Sequence, residues 1–195
     1  MEISAKQVND LRKQTGLGLM DCKKALVEAE GDVNKAIEVL RKRGLASAGK
    51  KASREVHEGV IASYIHTGGR IGVLLEINCE TDFVAKNEEF LQLTQNIGMH
   101  IAAMHPLHVI PEEVPAEAIE KEKEIFMAQV EGKPAQAIPG IVEGKLKKWY
   151  SEICLLDQKY FIDQDKTVRD VINEAIAKLG ENIKVRRFVR YQVGD

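Results

Sequence analysis

The sequence predicts an α+β fold, with a three-helix N-terminal domain followed by a core of helices packed on a small antiparallel sheet. Three observations predict it. Apolar residues recur at helical spacing through residues 4–44; later segments alternate with a period of two; and long amphipathic stretches separate those segments. The expected division is residues 1–53 for the helical domain with a basic linker and residues 54–195 for the α+β core.

Ser4 suits the N-cap of a helix carrying Val8 and Leu11, and "TGLG" at residues 15–18 stops it. In the next helix Cys22, Ala25, Leu26 and Ala29 share one face at i, i+3, i+4, i+7 spacing. Gly31 ends that helix, and Asp32 caps a third bearing Val33, Ala36, Ile37 and Leu40, which Gly44 closes. The stretch "GLASAGKKASREVHEG" (44–59), small and basic without a sustained period, reads as a linker.

Strand patterning begins at residue 60. "VIASYIH" meets "IGVLLEINC" across "TGG" (67–69), a glycine-bearing hairpin turn. Ile71, Val73, Leu75, Ile77 and Cys79 take one face of the second strand, and Leu74, Glu76 and Asn78 the other. A long helix from about Asn87 to Met104 follows, and Pro106 prevents its continuation. Another starts near Pro115 with a solvated Glu/Lys face. "EGKPAQAIPG" (131–140) breaks the chain before a helix marked by Val142, Leu146, Trp149 and Ile153. Thr167 and Asp170 suit a capping box before Val168, Val171, Ile172, Ala175, Ile176 and Leu179, and Gly180 terminates that helix. The final segment puts Ile183, Val185, Val189, Tyr191 and Val193 on one face of a third strand.

Composition narrows the function classes. Of 195 residues, 44% are hydrophobic and 30% charged, a globular balance. No apolar run approaches the roughly 20 residues of a membrane span, and the first residues lack the layout of a secretory signal or transit peptide, so a cytosolic protein is expected. The net charge of −2 lacks the basic bias of phosphate-dominated binding, which favours a protein partner over direct contact with nucleic acid. Cys22, Cys79 and Cys154 form no C-x-x-C pair, and His105 and His108 lack further ligands, so no metal, cofactor or disulfide framework is expected. Phosphate-loop, dinucleotide and nucleophile-elbow patterns are all missing, and no active site is read. His100, among Leu93, Ile97 and Met104, fits a packed, hydrogen-bonded residue. Leu19 and Met20 either plug the helical domain or lie exposed, since its inner face is already supplied. Phe83, between a strand and a helix, reads from spacing as a staple-like anchor for the following helix.

"LRKQTGLGLMDCKKAL" (11–26) and "EINCETDFVAKNEEF" (76–90) resemble the two signatures of the elongation factor Ts family. "MHIAA" (99–103), "VEGKLKKW" (142–149) and "VRRFVRYQVG" (185–194) resemble further family segments, so the likeness covers nearly the whole chain. It implies a ubiquitin-associated-like N-terminal domain and a nucleotide exchange factor for the GTPase elongation factor Tu, with no covalent chemistry of its own. The family's "TDFV" contact falls on Thr81, Asp82, Phe83 and Val84, of which Asp82 and Phe83 would be the intrusion device beside the partner's magnesium and phosphate site. Its helical-domain contacts fall on Arg12, Leu19, Met20 and Lys23. Leu19 stands where relatives often have methionine, keeping an apolar contact without the thioether. The family's core-helix histidine matches His100, with His105 as the alternative. Two other readings are a nucleic-acid reader and a ubiquitin-like adaptor without exchange activity. Longer family members carry two related core halves, whereas this chain has room for one, so a homodimer is expected.

Overall fold

The computed structural model describes residues 3–130 and 132–195. Its helices are α1 (Ala5–Thr15), α2 (Leu19–Glu28), α3 (Val33–Lys51), α4 (Asp82–Ala85), α5 (Glu88–Met104), α6 (Ala116–Gln129), α7 (Ile138–Ile153) and α8 (Val168–Leu179). Its strands are β1 (Glu58–Ile65), β2 (Ile71–Cys79) and β3 (Ile183–Gln192), in sheet order β1-β2-β3. The α+β expectation holds. Two compact units arise from this chain: residues up to Val60 with Ile77–Leu93 and Asp170–Lys184, and Ile61–Glu76 with Thr94–Arg169 and Val185–Asp195.

The first unit holds the three N-terminal helices. Ser4 caps α1 in a capping box with Gln7, and Asp32 caps α3 by accepting from the N–H groups of Asn34 and Lys35. Val8, Leu11, Cys22, Ala25, Leu26, Ala29, Ala36 and Leu40 form one buried cluster. Val33, expected inside, lies exposed at the first turn of α3. The expected stop at Gly44 and linker after it are corrected, because α3 continues to Lys51. A helical glycine costs about 1 kcal/mol against alanine, but a Cβ at Gly44 would sit only 3.3 Å from Ala177 of α8, and Ala48 is buried one turn on. Gly44, Ser47 and Ala48, read as part of a linker, lie on the packed side of this helix, while Ala46 and Gly49 are exposed.

In the second unit the hairpin closes through His66 N–H to Ile71 O (2.9 Å) and Gly69 N–H to His66 O (2.9 Å). Val73 and Leu75 of β2 point inward and Leu74 outward. The α5 helix crosses the strands closely at Gly98, where a Cβ would lie 3.1 Å from Tyr64 and 3.2 Å from Leu75. The expected face of β3 is corrected: Val185 is buried but Val189, Tyr191 and Val193 are exposed. The inward set changes parity between Val185 and Phe188, and Arg190 turns in to donate from Nε to Ala102 O on α5 (3.3 Å). The α7 helix starts at Ile138, inside the expected break, because Pro139 occupies its first turn, where a missing N–H costs nothing. Glu131, the first residue of that break, lies outside the described residues. Two connections with no periodicity are also ordered, through a His108–Cys154 parallel bridge and a Lys159–Thr167 antiparallel bridge.

A polar knot sits in this unit's core. His100 Nε2 lies 2.9 Å from Gln158 Oε1, and Phe161 N–H donates to His100 Nδ1 (3.4 Å). The Gln158 amide nitrogen donates to Glu152 O (2.7 Å) and Met104 O (3.3 Å), which fixes its oxygen toward the ring. His100 is therefore neutral, with its proton on Nε2. Its ring stacks on Tyr160 at 5.9 Å and 26°. Burial holds its pKa below the ordinary 6.5, with the Gln158 bond opposing. Below about pH 6.5 the unfolded chain gains a proton that the folded chain refuses, so stability falls as pH drops from about 6.5 toward the depressed folded value. Thermal unfolding followed from about pH 7.5 to 5 should show this loss, and His100→Asn should be less stable overall but flatter across that window.

Candidate partner-binding site

The corner after β2 is built by Thr81. In extended backbone (φ −128°, ψ 157°) it caps α4, its hydroxyl oxygen accepting from Val84 N–H (3.4 Å). Four residues cannot sustain a helix unaided, and α4 is pinned by its buried side, Val84 and Ala85. That burial forces Phe83 outward, where 86% of its surface is exposed. The staple-like role is therefore not what Phe83 does. An ordered phenylalanine left in water forgoes about 1.5–3 kcal/mol of burial, a cost that a docking partner would recover. Beside it, Asp82 pairs with Lys86 one turn on (2.7 Å), which holds the carboxyl below its usual range and the ammonium above its own.

The chain behind Thr81 is tied to the corner after α8. Glu181 Oε2 accepts the N–H groups of Thr81 (3.0 Å) and Glu80 (3.1 Å), and Oε1 accepts the Thr81 hydroxyl (2.6 Å). Glu80 Oε1 in turn accepts Asn182 N–H (2.6 Å), while Arg54 approaches the same carboxylate at 3.4 Å. The buried Asn182 side chain donates to Arg54 O (2.8 Å) and Ala52 O (3.4 Å). Glu181 and Asn182 were not anticipated from sequence.

The second half of the site lies on α1 and α2. Gly16 ends α1 at φ +69°, and Gly18 begins α2. With Cys22, Ala25 and Leu26 filling the inner face of α2, Leu19 (45% exposed), Met20 (59%) and Lys23 are left outside. Arg12 lies in the last turn of α1 and, with Asn9, Lys13, Gly16, Glu89 and Lys178, lines a shallow cleft. Lys178 lies across the glycine turn: a Cβ at Gly16 would meet its Cε at 2.6 Å. Its ammonium then reaches Glu89 in the first turn of α5 (2.6 Å). Arg12, Leu19, Met20, Lys23 and Thr81–Val84 thus belong to one compact unit and His100 to the other. Of the whole set, Val84 and His100 are buried; His105, at φ +48°, is exposed.

Among the described residues no cluster of three or more His, Cys, Asp or Glu has metal-binding geometry, and no helix is long and apolar enough to cross a membrane. The three cysteines are free and buried. Burial first, then nearby carboxylates, pushes Cys79 and Cys154 each up to about 11, so both are neutral thiols near pH 7.

The sequence profile described as Elongation factor TS matches residues 6–195. Proteins named elongation factor Ts from Fervidobacterium nodosum and Thermosipho melanesiensis are each 60% identical to this chain, covering 100% and 99% of it and all of the relative. One from Desulforamulus reducens is 61% identical over the whole chain and 90% of its own length. Carrying both the corner that presents Phe83 and the glycine turn that presents Met20, the chain belongs to the elongation factor Ts family of translation elongation factors.

Proposed function

We propose that this chain is a guanine nucleotide exchange factor that promotes GDP release from elongation factor Tu and performs no covalent chemistry. The observation that carries this reading is Phe83, 86% exposed on a four-residue helix whose other side is buried. Exchange requires the factor and the nucleotide each to weaken the other's hold on the GTPase, a reciprocal coupling free energy. A thousandfold loosening of GDP needs about 4 kcal/mol. Burying the Phe83 ring supplies between roughly a third and three quarters of that, at about 1.5–3 kcal/mol. The rest falls to Asp82, whose carboxylate disfavours phosphate nearby and displaces magnesium ligands, and to local rearrangement around the wedge. Leu19, Met20, Arg12 and Lys23 hold the partner from the helical domain, so they contribute affinity, whereas Phe83 contributes release. Val84 and His100 serve this reading from inside, as packing that shapes the exposed surface.

The working form is a homodimer. Support comes from the outer face of the sheet in the second unit. Ile61 and Ile65 on β1, Leu74 on β2, and Val189 and Tyr191 on β3 are all exposed. A cross-strand pair, Arg187 with Glu76 (2.7 Å), lies beside them. An apolar patch whose neighbouring charges are already paired within the chain can meet its own copy about a two-fold axis without stranding a charge, which fits a second copy as its occupant.

Phe83→Ala should cut the rate of GDP release from elongation factor Tu at least tenfold while leaving thermal unfolding within about 0.5 kcal/mol, the usual range for an exposed substitution. Normal release by this variant would remove the wedge; inactivity of the unaltered chain would favour an adaptor without exchange activity. Met20→Ala should raise the factor concentration needed for half-maximal release and leave the saturated rate nearly unchanged. A fall in the saturated rate alone would contradict that division. Light scattering across a dilution series should report twice the chain mass, and Leu74→Asp should shift it toward a single chain; a stable, exchange-active single chain would sink the dimer.

A further inference from the structure

We propose that Glu181 is a positioning residue for nucleotide exchange: its carboxylate fixes the Thr81 corner and thereby the direction in which Phe83 points. The proposal rests on the exchange reading above and assigns it a group far away in sequence. Every polar group of Thr81 is committed. Its N–H and hydroxyl both donate to Glu181. Its carbonyl accepts Ala85 N–H (3.2 Å) and the Cys79 thiol (3.2 Å). A hydroxyl has one proton and two lone pairs; by taking the proton, Glu181 turns a lone pair toward Val84 N–H, which is the cap of α4. The carboxylate therefore sets the rotamer that starts the helix bearing Phe83.

A neutral acceptor would satisfy fewer of these donors. Three donors converge on one carboxylate, and bonds to a charged acceptor are roughly twice as strong as neutral ones. The anchor is itself held, because Asn182 gives its N–H to Glu80 and its side chain to the carbonyls of Ala52 and Arg54. Each of two chain corners thus carries a carboxylate that accepts backbone N–H groups of the other. Rotation of Thr81 would require breaking both sides of that clasp. Glu181 is half-buried, behind the corner from the exposed ring, so its effect on release runs through Phe83.

The test combines exchange kinetics with amide hydrogen exchange on the full chain. Glu181→Ala should lower the saturated rate of GDP release from elongation factor Tu about ten- to a hundredfold, as expected when a reacting group is misaimed. The half-saturating concentration should move little, and the amide protons of Glu80 and Thr81 should exchange faster. Glu181→Gln should lie between, about three- to tenfold slower than the unaltered chain, since its amide oxygen still accepts the two N–H groups but its nitrogen cannot take the hydroxyl proton. Combined with Phe83→Ala, the alanine change should add almost nothing, because the ring it aims is gone. An unchanged saturated rate in Glu181→Ala, or full additivity with Phe83→Ala, overturns the proposal. If Phe83→Ala releases GDP normally, the wedge and this proposal with it fail; if the unaltered chain releases none, the exchange reading fails, and unaltered amide protection at Glu80 and Thr81 in Glu181→Ala would show separately that Glu181 does not fix the corner. Should Glu181→Ala not fold, Glu181→Asp, one methylene too short to reach all three donors, should slow release at least threefold, and an unaltered rate there overturns the assignment equally.

Discussion

Two carboxylates and the backbone N–H groups they accept hold together the corner that presents Phe83. Backbone donors removed from water must find partners, and at the corners after β2 and after α8 no sheet or helix ladder supplies them. Glu181 takes the donors at 80 and 81, and Glu80 takes the donor at 182. The exchange costs neither corner an unpaired group and fixes both. What depends on it is the four-residue helix α4, too short to persist alone, whose buried Val84 and Ala85 leave Phe83 nowhere to go but outward.

The helical domain meets a different constraint with the same economy of means. A turn of only three residues separates α1 from α2, and Gly16 makes it possible by adopting a left-handed conformation and by leaving room for the Lys178 stem. The Lys178 ammonium then reaches Glu89 at the start of α5. Residues 178 to 182 therefore touch both presenting elements, the glycine turn ahead of Met20 and the corner ahead of Phe83. In the proposed exchange role this matters because affinity and release are assigned to separate side chains, and a shared support keeps both in register with one partner surface.

Much of the fold was legible because the deciding rules are local. Ser4, Gly16, Asp32 and the turn before Ile71 act on backbone groups a few residues away, and they lie where helices and strands begin or end. Periodicity found the buried faces of α1 and α2 for the same reason, whereas Met104, grouped with Leu93 and Ile97 on α5, is exposed. The misses have non-local causes. Gly44 reads as a stop until Ala177 packs against it, and the apolar alternation of β3 continues past the point where its inward face changes parity. The candidate site was legible through its family signatures, which mark Leu19, Met20 and Asp82–Phe83 but not the supports behind them.

The sequence by itself determined most element starts and stops, those at Gly44 and Ile138 excepted, which faces of α1 and α2 are apolar, and which family the signatures resemble, since each depends on spacing within a turn or two. Only the tertiary structure decided that Phe83 faces solvent, that His100 is a sealed neutral ring, and that Glu181 serves Thr81. The physical reason is separation along the chain. Thr81 and Glu181 are 100 residues apart and His100 and Gln158 are 58 apart. A carboxylate or histidine in sequence carries no mark of which distant donor will reach it; that is settled when packing removes water and leaves each polar group only the partners within reach.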